Sequence, residues 1–141
     1  MTVEHIMHPW RGFRPWRRHS LVLVVAGLVY IAIGFSYFTS DPNDARYSAL
    51  YYARVAFEMP VWGAWFAITG CLAILSARWP PISKTWGYTM LTGLSTAWAL
   101  FYLMGILFKG KPESGFSGFL IWGIVAFLWW AISGLVDPED K

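Results

Sequence analysis

Residues 85–108 read TWGYTMLTGLSTAWALFYLMGILF, a stretch without a single Asp, Glu, Lys, Arg or His. As an α-helix it would be about 36 Å long, which exceeds the roughly 30 Å thickness of the hydrocarbon core of a bilayer. Its threonines recur at the spacing of one helix face, at Thr85, Thr89, Thr92 and Thr96. The stretch therefore predicts a membrane-spanning helix that carries a line of hydroxyl groups, the threonine stripe.

Three further stretches are equally apolar. The chain as a whole is 57% hydrophobic and 13% charged, whereas a soluble domain carries about 25% charged residues. The predicted spans are residues 21–40, 59–77, 85–108 and 114–136. The sequence thus predicts an all-α membrane protein, with four transmembrane helices joined by short loops into an antiparallel bundle.

The polar segments divide the chain further. A basic segment rich in Trp and Arg covers residues 1–19, the transmembrane domain covers 20–136, and an acidic tail covers 137–141. Between the first two spans, residues 45–58 are predicted to form a short interfacial helix. On that helix Arg54 and Glu58 are four residues apart, so we expect them to form an ion pair.

Basic residues near the span ends predict the orientation. If the N-terminus lies inside, the inner side holds Arg11, Arg14, Arg17, Arg18, Arg78, Lys84 and Lys141. The outer side then holds only Arg46, Arg54, Lys109 and Lys111. Because positive charge collects on the cytoplasmic side, we expect a multi-pass protein of the cytoplasmic membrane with both termini in the cytoplasm.

Two sets of residues are predicted to contact lipid or neighbouring helices. Tryptophan at headgroup depth and arginine against lipid phosphates suggest an interfacial anchor made of Trp10, Arg11, Trp16, Arg17 and Arg18. Small residues that let two helix backbones approach each other occupy one face of the first two spans, at Gly27, Gly34, Gly63, Ala67 and Gly70. We predict that the Trp and Arg residues of the interfacial anchor contact the bilayer and do not bind nucleic acid.

The sequence offers no site for catalysis. It has no phosphate-binding glycine loop, CxxC or HExxH motif, and its spans contain no acid or histidine that could carry a proton. We therefore predict no enzyme, no cofactor and no metal site. The single cysteine, Cys71, cannot form a disulfide within the chain and is expected to be a small buried thiol.

The threonine stripe has two interpretations. In an oligomer, its hydroxyls could line a hydrated surface without the cost of a buried charge. In an ordinary bundle, each hydroxyl would instead bond to the carbonyl one turn back or to a neighbouring helix.

Three segments resemble a known group of proteins: Trp79-Pro80-Pro81, the run from Trp86 to Trp98, and AFLWWAISGLV at residues 126–136. They resemble the small four-span membrane proteins of actinobacterial bacteriophages, some of them labelled holins or holin-like. The resemblance implies a protein that forms homo-oligomers in the host cytoplasmic membrane and permeabilises it for cell lysis. It implies no catalytic residues.

An alternative function belongs to a different class. A non-lytic bundle could act as a phage immunity factor that excludes superinfecting phage, or as an accessory subunit of a larger membrane complex. Its partner would then be another membrane protein.

Overall fold

The computed structural model describes residues 18–41, 45–79, 83–110 and 112–135. Its elements are α1 (Arg18–Thr39), a 3-10 helix (Ala45–Leu50), α2 (Tyr51–Ala56), α3 (Met59–Arg78), α4 (Lys84–Lys109) and α5 (Pro112–Ser133). No strand occurs in these residues, and α1, α3, α4 and α5 are long and apolar enough to cross a membrane. The described residues therefore confirm the predicted all-α class and the four helices that are long and apolar enough to span a membrane.

Glycines bring α1 and α3 into close contact. A Cβ atom placed on Gly27 would lie 2.5 Å from the carbonyl oxygen of Gly70, and one on Gly34 would lie 2.5 Å from the carbonyl oxygen of Gly63. The relation is reciprocal, because a Cβ on Gly63 would lie 2.7 Å from the carbonyl oxygen of Gly34. Ala67 is the fifth predicted packing residue, and its backbone nitrogen lies beside Gly34. Backbone therefore meets backbone along this seam.

Local interactions of the chain determine where α4 begins and where it ends. The side chain of Ser83 accepts a hydrogen bond from the backbone N–H of Thr85 at 3.1 Å, which caps the first turn. At the other end Gly110 adopts a left-handed conformation with φ of 60°, the usual way for glycine to stop a helix. Between these ends α4 packs mainly against α5 and α3.

The segment between the first two spans differs from the expected single helix. The 3-10 helix gives way to α2, which ends at Ala56, and Phe57 is extended. Glu58, also extended, instead caps α3 through its backbone position, so it does not share a helical face with Arg54. The predicted Arg54–Glu58 ion pair is wrong for this reason. One side of the segment is buried, with Ala53 accepting a 2.7 Å hydrogen bond from the indole of Trp62.

Cys71 is also not where it was expected. Its side chain is exposed on the outer surface of α3 rather than buried. The prediction of a buried thiol rested on the place of this small residue within an apolar run. In a bilayer, however, lipid accepts an apolar side chain as readily as the protein core does.

Candidate functional site

The threonine stripe lies partly on the outside of the bundle. Thr89 and Thr96 are exposed, whereas Thr85 and Thr92 are half-buried. The hydroxyl of Thr89 donates to the carbonyl of Thr85, and that of Thr92 donates to the carbonyl of Tyr88, both at 2.7 Å. These two hydroxyls therefore bond within their own helix, and in the described part of the chain no other span covers Thr89 or Thr96.

Gly93 extends the exposed part of the stripe. It is exposed between Thr89 and Thr96, and a Cβ atom placed on it would meet nothing within 4 Å. Residues 89, 93 and 96 lie four and three apart, so they share one helix face. We call Thr89, Gly93 and Thr96 the outer threonine face, a surface of small side chains that another helix could approach closely.

The inward side of α4 carries a buried polar cluster. The hydroxyl of Tyr30 on α1 is hydrogen-bonded to the hydroxyl of Ser95 on α4. The same Tyr30 oxygen accepts a 3.1 Å hydrogen bond from Nε1 of Trp129 on α5. Three helices therefore meet at one hydroxyl group, and these bonds fix how the helices are rotated relative to one another.

Aromatic rings fill the remaining space inside the bundle. Trp98 is fully buried, and its ring lies 5.0 Å from that of Phe66, 5.1 Å from that of Trp62 and 5.6 Å from that of Tyr37. The pairs of Trp98 with Phe66 and Trp62 are edge-to-face, which is a favourable arrangement at these centroid separations. Trp122 of α5 joins the cluster through contacts with Tyr30 and Phe66. The centre of this chain is therefore packed with side chains rather than open.

Replacing Tyr30 with phenylalanine tests the polar cluster. The change removes one oxygen and leaves Ser95 and Trp129 without their buried partner, so we expect a loss of about 1 kcal/mol in the free energy of unfolding. Titration of the protein from mild detergent into SDS, followed by circular dichroism, would measure it. Tyr51→Phe, at an exposed tyrosine, is the matched control. If the two variants are equally stable, the Tyr30 hydroxyl does not stabilise the bundle through its bonds to Ser95 and Trp129.

The predicted lipid anchor lies mostly outside the described residues. Trp10, Arg11, Trp16 and Arg17 belong to that part, and Arg18, the first residue of α1, is exposed. Just inside it, Nδ1 of His19 lies 3.0 Å from the hydroxyl of Tyr88, and the hydroxyl of Ser20 donates to the carbonyl of Ala77. These contacts tie the beginning of α1 to α3 and α4.

Two members of the polar cluster were not predicted from the sequence. Tyr30 and Ser95 are ordinary residues of apolar spans, and no motif marks them. The available signal was the position of a polar aromatic side chain near the middle of a span, where its hydroxyl needs a partner. Trp129 shares a face with Trp122 and Ala126, and all three are at least half-buried.

The described residues contain no group of three or more His, Cys, Asp or Glu side chains that could hold a metal ion. Scans of the chain against protein-family models, curated proteins and solved structures each found no match.

Proposed function

We propose that this protein is a holin-like protein, which oligomerises in the cytoplasmic membrane and permeabilises it for host lysis. In this proposal the four spans form an antiparallel bundle with both termini in the cytoplasm, as the distribution of basic residues favours. The lesion would let an endolysin reach the cell wall, and the chain itself would perform no catalytic step.

The observation that carries this proposal is the outer threonine face. Thr89 and Gly93 present small side chains on the surface of the bundle, where the described residues supply no covering helix. Close approach of small residues drives helix association in lipid. Hydroxyls at such an interface also tolerate water better than the apolar side chains around them.

The packed centre supports a lesion between chains rather than through one. Trp98 and Phe66 fill the middle of the bundle, and Tyr30 links three of its helices. A channel through a single chain would require this core to be emptied. Assembly of several chains through their outer surfaces leaves the core intact.

Induced expression of the full chain in a bacterium tests the proposal. A fluorescent reporter of membrane potential should show an abrupt collapse once the protein has accumulated, followed by cessation of growth. Undisturbed potential and continued growth at high expression would contradict the proposal.

Gly93→Leu should weaken the assembly. A leucine at this open position would hold a second helix away from the outer threonine face, while its Cβ would meet no packed neighbour beyond its own stretch of helix within 4 Å. We expect the fraction of crosslinked oligomer to fall at least about threefold, the equivalent of losing one average interhelical contact of about 0.6 kcal/mol. Collapse of the membrane potential should also be delayed.

Gly123→Leu on α5 is the matched control, because a Cβ on Gly123 likewise meets nothing within 4 Å. If both leucine variants reduce crosslinking equally, the outer threonine face is not the interface.

A second candidate function follows from α5. Its large side chains include Ile124, Phe127 and Trp130, all exposed on the bundle surface. Lipid can cover such a face, and so can another membrane protein, as in a non-lytic immunity factor or an accessory subunit. Harmless expression that protects the cell against infecting phage would favour this function over lysis.

A further inference from the structure

A pocket of about 520 Å³ lies where the end of α1, α2 and the beginning of α3 meet. This volume falls within the range of small-ligand sites. Arg54 and Glu58 supply its charged groups, Tyr51 adds a phenol, and Val55, Met59 and Pro60 supply apolar surface. The pocket therefore combines two opposite charges with an apolar wall.

Both charges are available to a ligand. Arg54 and Glu58 are both exposed, and the extended backbone of Phe57 and Glu58 keeps them off a common helix face. Glu58 caps α3 by position only, since its carboxylate makes no capping hydrogen bond. A singly charged ligand would satisfy one of these groups and leave the other unpaired, so the pocket favours a ligand that carries both signs.

The position of the pocket in the chain places it at a membrane interface. Met59 is the first residue of α3, and α1 ends at Thr39, so two spans end beside it. A second cation lies nearby, because Nζ of Lys109 sits 3.9 Å from the ring centroid of Tyr51. Lipid phosphates are found at this depth, and basic side chains attract them.

We propose that this pocket binds the headgroup of a zwitterionic aminophospholipid of the phosphatidylethanolamine class. Arg54 binds the lipid phosphate, and the carboxylate of Glu58 accepts hydrogen bonds from the primary ammonium group. The glycerol and the first acyl carbons lie along Met59 and Pro60. A quaternary ammonium has no N–H to donate, so phosphatidylcholine fits less well. The proposal needs only the membrane placement of the chain, not its lytic activity.

Native mass spectrometry of the full chain in detergent tests the proposal. Phosphatidylethanolamine, phosphatidylcholine and phosphatidylglycerol with identical acyl chains would be added at equal concentration. We expect about two- to fivefold higher occupancy by phosphatidylethanolamine, the range given by exposed charge contacts. Glu58→Gln should lower this occupancy to that of phosphatidylcholine, and Arg54→Ala should lower both. Arg54→Lys, which keeps the charge, should retain part of the preference.

Arg78→Ala is the control, since Arg78 is the last residue of α3 and lies at the end of that span opposite the pocket. It should leave the lipid preference unchanged. Equal occupancy by the three lipids, or a preference for phosphatidylglycerol, would overturn the proposal. Soluble phosphoethanolamine should compete only weakly, because it lacks the apolar part. If it displaces the lipid at an equal concentration, the ligand is a small soluble zwitterion and the lipid assignment fails.

Discussion

Gly63→Val should separate α1 from α3 and unfold the bundle at a much lower SDS fraction than the wild type. The first added carbon would lie 2.7 Å from the carbonyl oxygen of Gly34, and the two methyl groups of valine need still more room. Backbone atoms on the opposing helix cannot rotate away as a flexible side chain can. We therefore expect a loss of about 3 kcal/mol in the free energy of unfolding, the upper part of the range for overpacking.

Gly123→Val controls for the effect of valine on a helix. It places the same side chain on a glycine whose added Cβ meets nothing within 4 Å. SDS titration followed by circular dichroism would compare the two variants. If both unfold at the same SDS fraction, the seam between α1 and α3 is not the contact described.

Trp98→Ala should also be strongly destabilising. The indole is 0% exposed and lies against the rings of Phe66, Trp62 and Tyr37. Truncation leaves a cavity that four helical backbones cannot close. We expect a loss of about 3 kcal/mol in the free energy of unfolding, the lower end of the range for a buried tryptophan. The lower end applies because the unfolded span remains in lipid, so the loss is mainly one of packing.

Trp130→Ala is the matched control for this variant. Trp130 is 64% exposed on α5, so its removal deletes the same side chain without leaving an internal cavity. Thermal unfolding in detergent should separate the two alanine variants clearly. If Trp130→Ala lowers the midpoint temperature of unfolding as much as Trp98→Ala does, the core is not centred on Trp98.

The spans were predictable because their signal is one of length and composition. Residues 85–108 contain no ionisable group besides tyrosine, and α4 covers them with one extra residue at each end. The helix face made of small residues was also predictable, because Gly27 and Gly34 are seven residues apart on α1. Residues seven apart lie on the same side of a helix, and in the structure that side of α1 packs against α3.

The rotation of each helix was not predictable in the same way. In water, an amphipathic pattern shows which face is buried. In lipid, both faces are apolar, so the pattern of α5 does not distinguish Trp129, which bonds to Tyr30, from Trp130, which is exposed. The same uniformity explains why Cys71 was misplaced.

The prediction for the loop between the first two spans was wrong for a local reason. Arg54 and Glu58 have the spacing of a helical ion pair, but the extended backbone of Phe57 and Glu58 interrupts the helix. The nearby Pro60 is compatible with the first turn of α3, which leaves Glu58 as its cap. Both charged side chains then line the pocket between α1, α2 and α3.

Dye release from liposomes by the purified full-length protein shows whether this chain opens a bilayer by itself. A protein that opens the bilayer by assembling through the outer threonine face should release a small trapped dye, and the rate should rise more steeply than in proportion to the protein-to-lipid ratio. Gly93→Leu should release less than Gly123→Leu at every ratio. Complete retention of the dye by liposomes that contain folded, inserted wild-type protein would contradict the claim.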